Sequence, residues 1–173
     1  MQVLIEEYKI DRRVRAMAHK ITEEHKNSGN PYPPVMICVL NGAFPFFGDL
    51  MKDMGVDCEI DFIRAKSYNG QDNSGGVEIT KDLEISLKGK RVYIIEDLVE
   101  TGATMFEILH RVNDAMPNEV KIVTLVHRKG NEFPVDHYCF EVDSDEFLVG
   151  YGFDDHGLKR NYRNIYTINK IKD

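Results

Sequence analysis

The chain has 173 residues, 42% of them hydrophobic and 29% charged, the proportions of one ordinary globular domain long enough to bury a core. A formal net charge of −7 argues against a general nucleic-acid surface, and no apolar run approaches the roughly 20 residues that cross a bilayer, so neither nucleic acid nor membrane is expected as a partner. Cys38, Cys58 and Cys139 are far apart with no CxxC pair, and the six histidines show no metal-ligand spacing, which predicts buried reduced thiols and argues against a structural zinc site.

The opening stretch MQVLIEEYKIDRRVR carries acids inside a short apolar patch and lacks the long apolar core of a signal peptide, so a cytoplasmic location is expected. Over residues 11–28, Val14, Met17, Ala18 and Ile21 recur at helical spacing, predicting an amphipathic helix that NSGNPYPP terminates. VMICVL (35–40) reads as a strand covered on both faces, ending at Asn41-Gly42. Pro45 suits the first turn of the next helix, whose inner face would be Phe46, Phe47, Leu50 and Met54. A strand follows in CEIDFIRA (58–65). KSYNGQDNSGGV (66–77) has almost nothing to bury and reads as a long loop or hairpin tip, a length often found in lids. LKGKR (87–91) turns the chain into the strand VYIIE (92–96), and Met105, Ile108, Leu109 and Val112 mark a helix over 104–116. VKIVTLV (120–126) is the next buried strand. HYCFEV, FLVGYG and IYTI are then short strand-like pieces with no further helix.

Alternating strands and helices followed by a strand-rich tail predict an α/β fold, a doubly wound, mainly parallel sheet flanked by helices. Residues 1–173 read as a single domain, with a small hood formed by the N-terminal segment and the region from about 128. In such a sheet a ligand sits at the carboxyl ends of the strands. YIIEDLVETGATM (93–105) places Glu96, Asp97 and Glu100 on that edge, followed by Thr101, Gly102, Ala103 and Thr104. The latter four open a helix, where free backbone N–H groups and the helix dipole favour a phosphate. The acids repel phosphate and must serve something else. A side-by-side pair can accept hydrogen bonds from a ribose diol, and an acid at the mouth of the turn can take a proton or help hold Mg²⁺. Phosphate beside ribose points to a 5′-phosphoribosyl group.

VYIIEDLVETGATM resembles the phosphoribosyl-pyrophosphate signature of the type I phosphoribosyltransferases. VLNGAFPFFGDL (39–50), SYNG (67–70), VKIVTLVHRK (120–129) and EFLVGYGFD (146–154) narrow the resemblance to the hypoxanthine-guanine branch, and together they span most of the chain in the expected order. The resemblance implies transfer of phosphoribosyl from phosphoribosyl pyrophosphate to hypoxanthine or guanine, with xanthine as a further candidate, in purine salvage, with Mg²⁺ and in a homodimer or homotetramer. By matching position, Glu96 and Asp97 would grip the ribose hydroxyls, and Thr101, Gly102, Ala103 and Thr104 would cradle the 5′-phosphate. Asn41, Gly42 and Arg160 would face pyrophosphate. Arg128, Phe147, Leu148 and Asp154 would hold the purine, with Phe147 stacking on it. Ser67 and Tyr68 would begin the lid, and Glu96, Asp97 and Asp154 would serve the metal. Glu100 is implied as the acid that accepts or shares the proton at the purine N7, with Arg128 the donor to its 6-oxo group.

Two positions depart from that family's pattern, Glu100 where it has Asp and Arg128 where it has Lys. One methylene moves the acid by about a bond length, and misplacement of ~1 Å can cost on the order of a hundredfold in rate. Arg163 rivals Arg160 for pyrophosphate, and Phe147 read alone is a core residue rather than a platform, since apolar strand residues usually pack; only its place beside VGYGFD favours stacking. His19, His25, His110 and His137 read as surface residues. Two other readings stand beside the enzyme: a regulator that keeps the fold to sense nucleotide or bind RNA, and a receiver-like domain with acids at its strand ends.

Overall fold

The computed structural model describes residues 1–68, 76–143 and 146–168. In chain order the elements are β1 (Gln2–Ile5), α1 (Glu7–Asn27), β2 (Val35–Val39), α2 (Phe44–Lys52), β3 (Glu59–Tyr68), β4 (Gly76–Lys81), β5 (Arg91–Leu98), α3 (Ala103–Asp114), β6 (Glu119–Arg128), β7 (His137–Val142), β8 (Phe147–Val149) and β9 (Ile165–Ile168). The main sheet runs β4-β3-β2-β5-β6-β7, parallel throughout except for β4, which returns antiparallel along β3.

Alternation along the central strands makes the fold doubly wound. Met36 and Cys38 of β2, with Tyr93 and Ile95 of β5, point toward the core that holds α1 and α2. Val35, Ile37, Val92 and Ile94 point the other way, into the core that holds α3. Each helix contributes one apolar stripe: Ile10, Val14, Met17, Ala18 and Ile21 from α1, Phe46, Phe47 and Leu50 from α2, and Met105, Ile108 and Val112 from α3. Helix α1 begins at Glu7, earlier than the expected 11, because Ile10 extends the Val14 stripe by one turn. Met54 lies past the end of α2 and packs half-buried against the same core.

The ends of the expected loop 66–77 are strand. Ser67 pairs with Val77 and Tyr68 with Gly76 in a hairpin whose tip, 69–75, lies outside the described residues. A second sheet, β1-β9-β8, is antiparallel. His137–Val142, expected in the hood region from about 128, is instead the parallel edge of the main sheet beside β6. The cysteines are free; Cys38 and Cys139 are buried, whereas Cys58, also expected to be buried, is half-exposed.

The amino ends of β5, β6 and β7 are tied by charge. Arg91 bridges Glu24 at 3.1 Å and Glu119 at 2.8 Å, and His137 Nε2 lies 2.7 Å from Glu24. His25 is buried beside this group, and His137 is largely covered by it, so neither is the surface residue expected from sequence. The opposite edge of the sheet is left to the acids of β5.

Candidate active site

Strand β5 ends with Glu96 and Asp97 on the carboxyl edge. The Asp97 N–H donates to Glu96 Oε1 at 2.9 Å, and the Leu98 N–H to Asp97 Oδ1 at 2.8 Å, so local backbone amides fix both carboxylates. Both acids keep some exposure at the rim, yet dense packing strips much of their hydration. Burial, then the neighbouring Asp97 charge, pushes the Glu96 carboxyl well above the usual range. Burial also raises Asp97, partly offset by its hydrogen bonds and by the Arg160 charge. Two adjacent acids held this way suit a ligand that offers hydroxyls or a cation.

Gly42 lies directly against that pair. A β-carbon there would sit 1.9 Å from Asp97 Oδ2, and one at Gly152, whose φ is +104°, would sit 2.0 Å from the Gly42 carbonyl oxygen. The loop after β2, the end of β5 and the turn after β8 therefore meet backbone to side chain with no room for a methyl. The Leu40–Asn41 peptide leading into this contact is cis. Arg160 donates to the Gly152 carbonyl and pairs with Asp154 at 2.7 Å, which brings its charge within reach of Asp97. Arg163 pairs instead with Glu7 at 2.7 Å and is 80% exposed. Of the two arginines, Arg160 is the one beside Gly42 and Asp97. The other Asp154 oxygen accepts the Gly157 N–H at 2.7 Å, so both its oxygens brace the 154–160 turn.

After β5 the chain turns through Thr101 and enters α3 at Gly102. No side chain caps this end, and the first helical bond to form there runs from the Phe106 N–H to the Gly102 carbonyl at 2.8 Å. The amides of the first turn are thus available to an anion. Gly102 is required twice: its φ is +83°, and a β-carbon would fall 2.2 Å from the Phe133 ring. Thr104 Oγ1 lies 3.4 Å from Ser67 Oγ, linking this turn to the end of β3; Tyr68 ends the same strand. A cavity of about 210 Å³ is lined by Glu96, Asp97, Glu100, Thr101, Gly102 and Thr104 among others. Another, about 590 Å³, lies between α1, α2 and the 151–163 turn, lined by Glu7, Asp11 and Asp49 together with Arg160 and Arg163.

Glu100 and Arg128 touch each other. Arg128 Nε lies 3.0 and 3.1 Å from the two Glu100 oxygens, and Nη2 lies 3.0 Å from Oε1. Nη1 donates to the Glu146 carbonyl at 2.9 Å, immediately before Phe147. Arg128 is 13% exposed and Glu100 58%, so the acid reaches from the open side onto an arginine already anchored. Phe147 is half-buried at the start of β8. The Leu148 side chain, expected to help hold a purine, is buried in the α1/α2 core. Sequence reasoning missed Asn131, whose side-chain amide donates to the Val99 and Glu100 carbonyls at 2.7 and 2.8 Å, and Phe133 against Gly102. Lys129-Gly130 announced a turn there, but nothing in the pattern said what the turn would hold.

Residues 5–156 match the phosphoribosyl transferase domain family. The hypoxanthine-guanine-xanthine phosphoribosyltransferase of Tritrichomonas foetus is 35% identical, with 99% of this chain and 92% of that protein covered. The hypoxanthine phosphoribosyltransferase of Escherichia coli K12 is 34% identical, covering 99% and 95%. Among solved structures, a hypoxanthine phosphoribosyltransferase from Staphylococcus aureus superimposes with a TM-score of 0.87 at 32% identity, covering 98% of this chain and 91% of that one. The chain that arranges paired acids, an open helix start and an arginine around one sheet edge belongs to the phosphoribosyltransferase family, in its hypoxanthine phosphoribosyltransferase branch.

Proposed function

We propose that the protein transfers the 5-phosphoribosyl group of phosphoribosyl pyrophosphate to hypoxanthine or guanine, with xanthine as a third candidate base, giving the purine 5′-mononucleotide and pyrophosphate in purine salvage. The observation that carries this reading is one cavity shared by the Glu96–Asp97 pair and by Thr101, Gly102 and Thr104 at the uncapped start of α3. The paired acids receive the ribose hydroxyls, and the helix start receives the 5′-phosphate. Arg160, beside Gly42 and Asn41, offers positive charge to the leaving pyrophosphate.

Departure of pyrophosphate from the anomeric carbon builds positive character on the sugar, which the acids of β5 stabilise from close by. Glu100 takes or shares the purine N7 proton, while Arg128 donates to the 6-oxo oxygen and Phe147 stacks on the base. Ser67 and Tyr68, on the strand leading to the hairpin tip, help cover the site and exclude water.

Among the described residues no cluster of three or more His, Cys, Asp or Glu side chains forms a metal cage. Mg²⁺ fits a different arrangement, one or two carboxylates plus substrate oxygens, and the crowded Glu96–Asp97 pair supplies those carboxylates. Asp154, committed to Arg160 and Gly157, would serve at one remove. When bound, the ion neutralises pyrophosphate charge.

A homodimer or homotetramer is part of the proposal, supported by Phe44, which is 62% exposed at the start of α2 although Phe46 and Phe47 are buried. A cytoplasmic location is proposed as well; among the described residues no helix is long and apolar enough to cross a membrane. The relatives' names give no support to a nucleotide-sensing or RNA-binding regulator. A spectrophotometric assay of each base with phosphoribosyl pyrophosphate and Mg²⁺ tests the function. Nucleotide formed from at least one 6-oxopurine is expected, and no product from any base overturns it.

A further inference from the structure

The connection from β6 to β7 does more than join two strands. The Asn131 N–H donates to the Arg128 carbonyl at 3.0 Å, closing a tight turn in which Gly130 has φ +82°, the sign that the third position of a type II turn demands. That turn carries the Asn131 side chain over the segment between β5 and α3. Its amide nitrogen donates to the Val99 carbonyl at 2.7 Å and the Glu100 carbonyl at 2.8 Å. Its amide oxygen accepts the Phe133 N–H at 2.9 Å, which sets the Phe133 ring against Gly102. Two donors meet two carbonyls and one acceptor meets one N–H, so the side chain's orientation is fixed by its neighbours.

Residues 99–102 have no regular secondary structure, yet they carry Glu100 and lead straight into the phosphate-binding amides. The 128–131 turn holds Glu100 twice, by its carboxylate through Arg128 and by its carbonyl through Asn131. We propose that Asn131 is a positioning residue for phosphoribosyl transfer: it touches no substrate, and it sets where the Glu100 carboxylate stands. Among side chains of similar or smaller size, asparagine alone fits this role. Aspartate would turn an acceptor toward two carbonyls, serine would offer a single donor, and alanine would offer none. The inference rests on the role proposed for Glu100.

The test is a double-mutant cycle on the full chain, with kcat measured for Asn131→Ala, Glu100→Ala and the pair, alongside thermal midpoints. Asn131→Ala is expected to lower kcat by on the order of tenfold to a hundredfold in the wild-type background, and by less than about threefold once Glu100 is already alanine, because a misplaced group that is absent costs nothing more. Asn131→Ser, keeping one donor, should fall between. Losses that multiply across the cycle, as general loosening of the fold would give, overturn the proposal. So does failure of both Asn131 variants to fold, which would assign the amide to folding itself. A Glu100→Ala enzyme with undiminished kcat would instead overturn the role of Glu100, a distinct result that leaves Asn131 with nothing catalytic to position.

Discussion

Arg128 grips both carboxylate oxygens of Glu100 while its other guanidinium nitrogen holds the Glu146 carbonyl, so the two positions read from the sequence as departures from the family pattern form one contact. A longer acid is matched here by a planar fork, where a shorter acid and a point charge would leave the pair apart. Glu100→Asp and Arg128→Lys are each expected to lower kcat/KM. The double variant should lose less than the two single losses multiplied together, with a coupling of about 1 kcal/mol, roughly fivefold. Steady-state kinetics on the four proteins checks this; a Glu100→Asp enzyme faster than the natural one would show that the longer acid is an impairment.

Gly42→Ala drives a methyl into the Asp97 carboxylate, since the position it would take is 1.9 Å from Oδ2. The carboxylate must swing away from the place proposed for the sugar. Catalytic efficiency with phosphoribosyl pyrophosphate should fall on the order of a hundredfold. Initial rates at varied phosphoribosyl pyrophosphate read this directly, and unchanged kinetics would remove Asp97 from the sugar site.

Arg160 and Arg163 should behave differently. Arg160→Gln removes the charge beside Asp97 and Gly42 and should raise the KM for phosphoribosyl pyrophosphate on the order of tenfold or more. Arg163→Gln breaks only an exposed pair with Glu7 and should leave kinetics within about twofold. The reverse order would shift the pyrophosphate site toward the 161–163 segment.

His25 gives the fold an acid-side weakness. Burial, then the Arg91 charge, holds its imidazole below the ordinary 6.5, and Nδ1 meets no hydrogen-bond partner among the described residues. The unfolded chain gains a proton near that value that the folded chain resists, so this contribution to stability is full above 6.5 and declines as pH drops through it. Thermal midpoints measured from about pH 7.5 to about 5.5 should fall more steeply in the natural protein than in His25→Asn. Parallel curves would place the acid sensitivity elsewhere.

The parts legible in the sequence were those whose cause is local. VMICV and VYII are apolar on both faces because both faces are covered, and the helices repeat their stripes at the expected spacing. The acids and the Gly102 turn were legible because a strand end and a helix start carry their own chemistry. Strand β4 was not, since an edge strand with alternating half-buried residues has the composition of a loop. The same ambiguity put HYCFEV in the hood: a half-covered edge strand looks alike whichever sheet receives it. The covering of His137 by Glu24, and the Arg91 charge beside His25, bring together segments far apart in the chain. Asn131 reaches carbonyls 31 and 32 positions away, a pairing that no periodicity encodes.

Strand β1 hydrogen-bonds to β9, and β9 to β8, so the strand that begins with Phe147 is held in place by residues from the opposite extremity of the described fold. The platform proposed for the base is thus a clasp between early and late segments of the described fold. If Phe147 stacks on the base as proposed, selectivity among purines depends in part on a few residues around Gln2–Ile5, and a fusion partner appended there is expected to disturb base recognition more than binding at the Thr101–Thr104 turn.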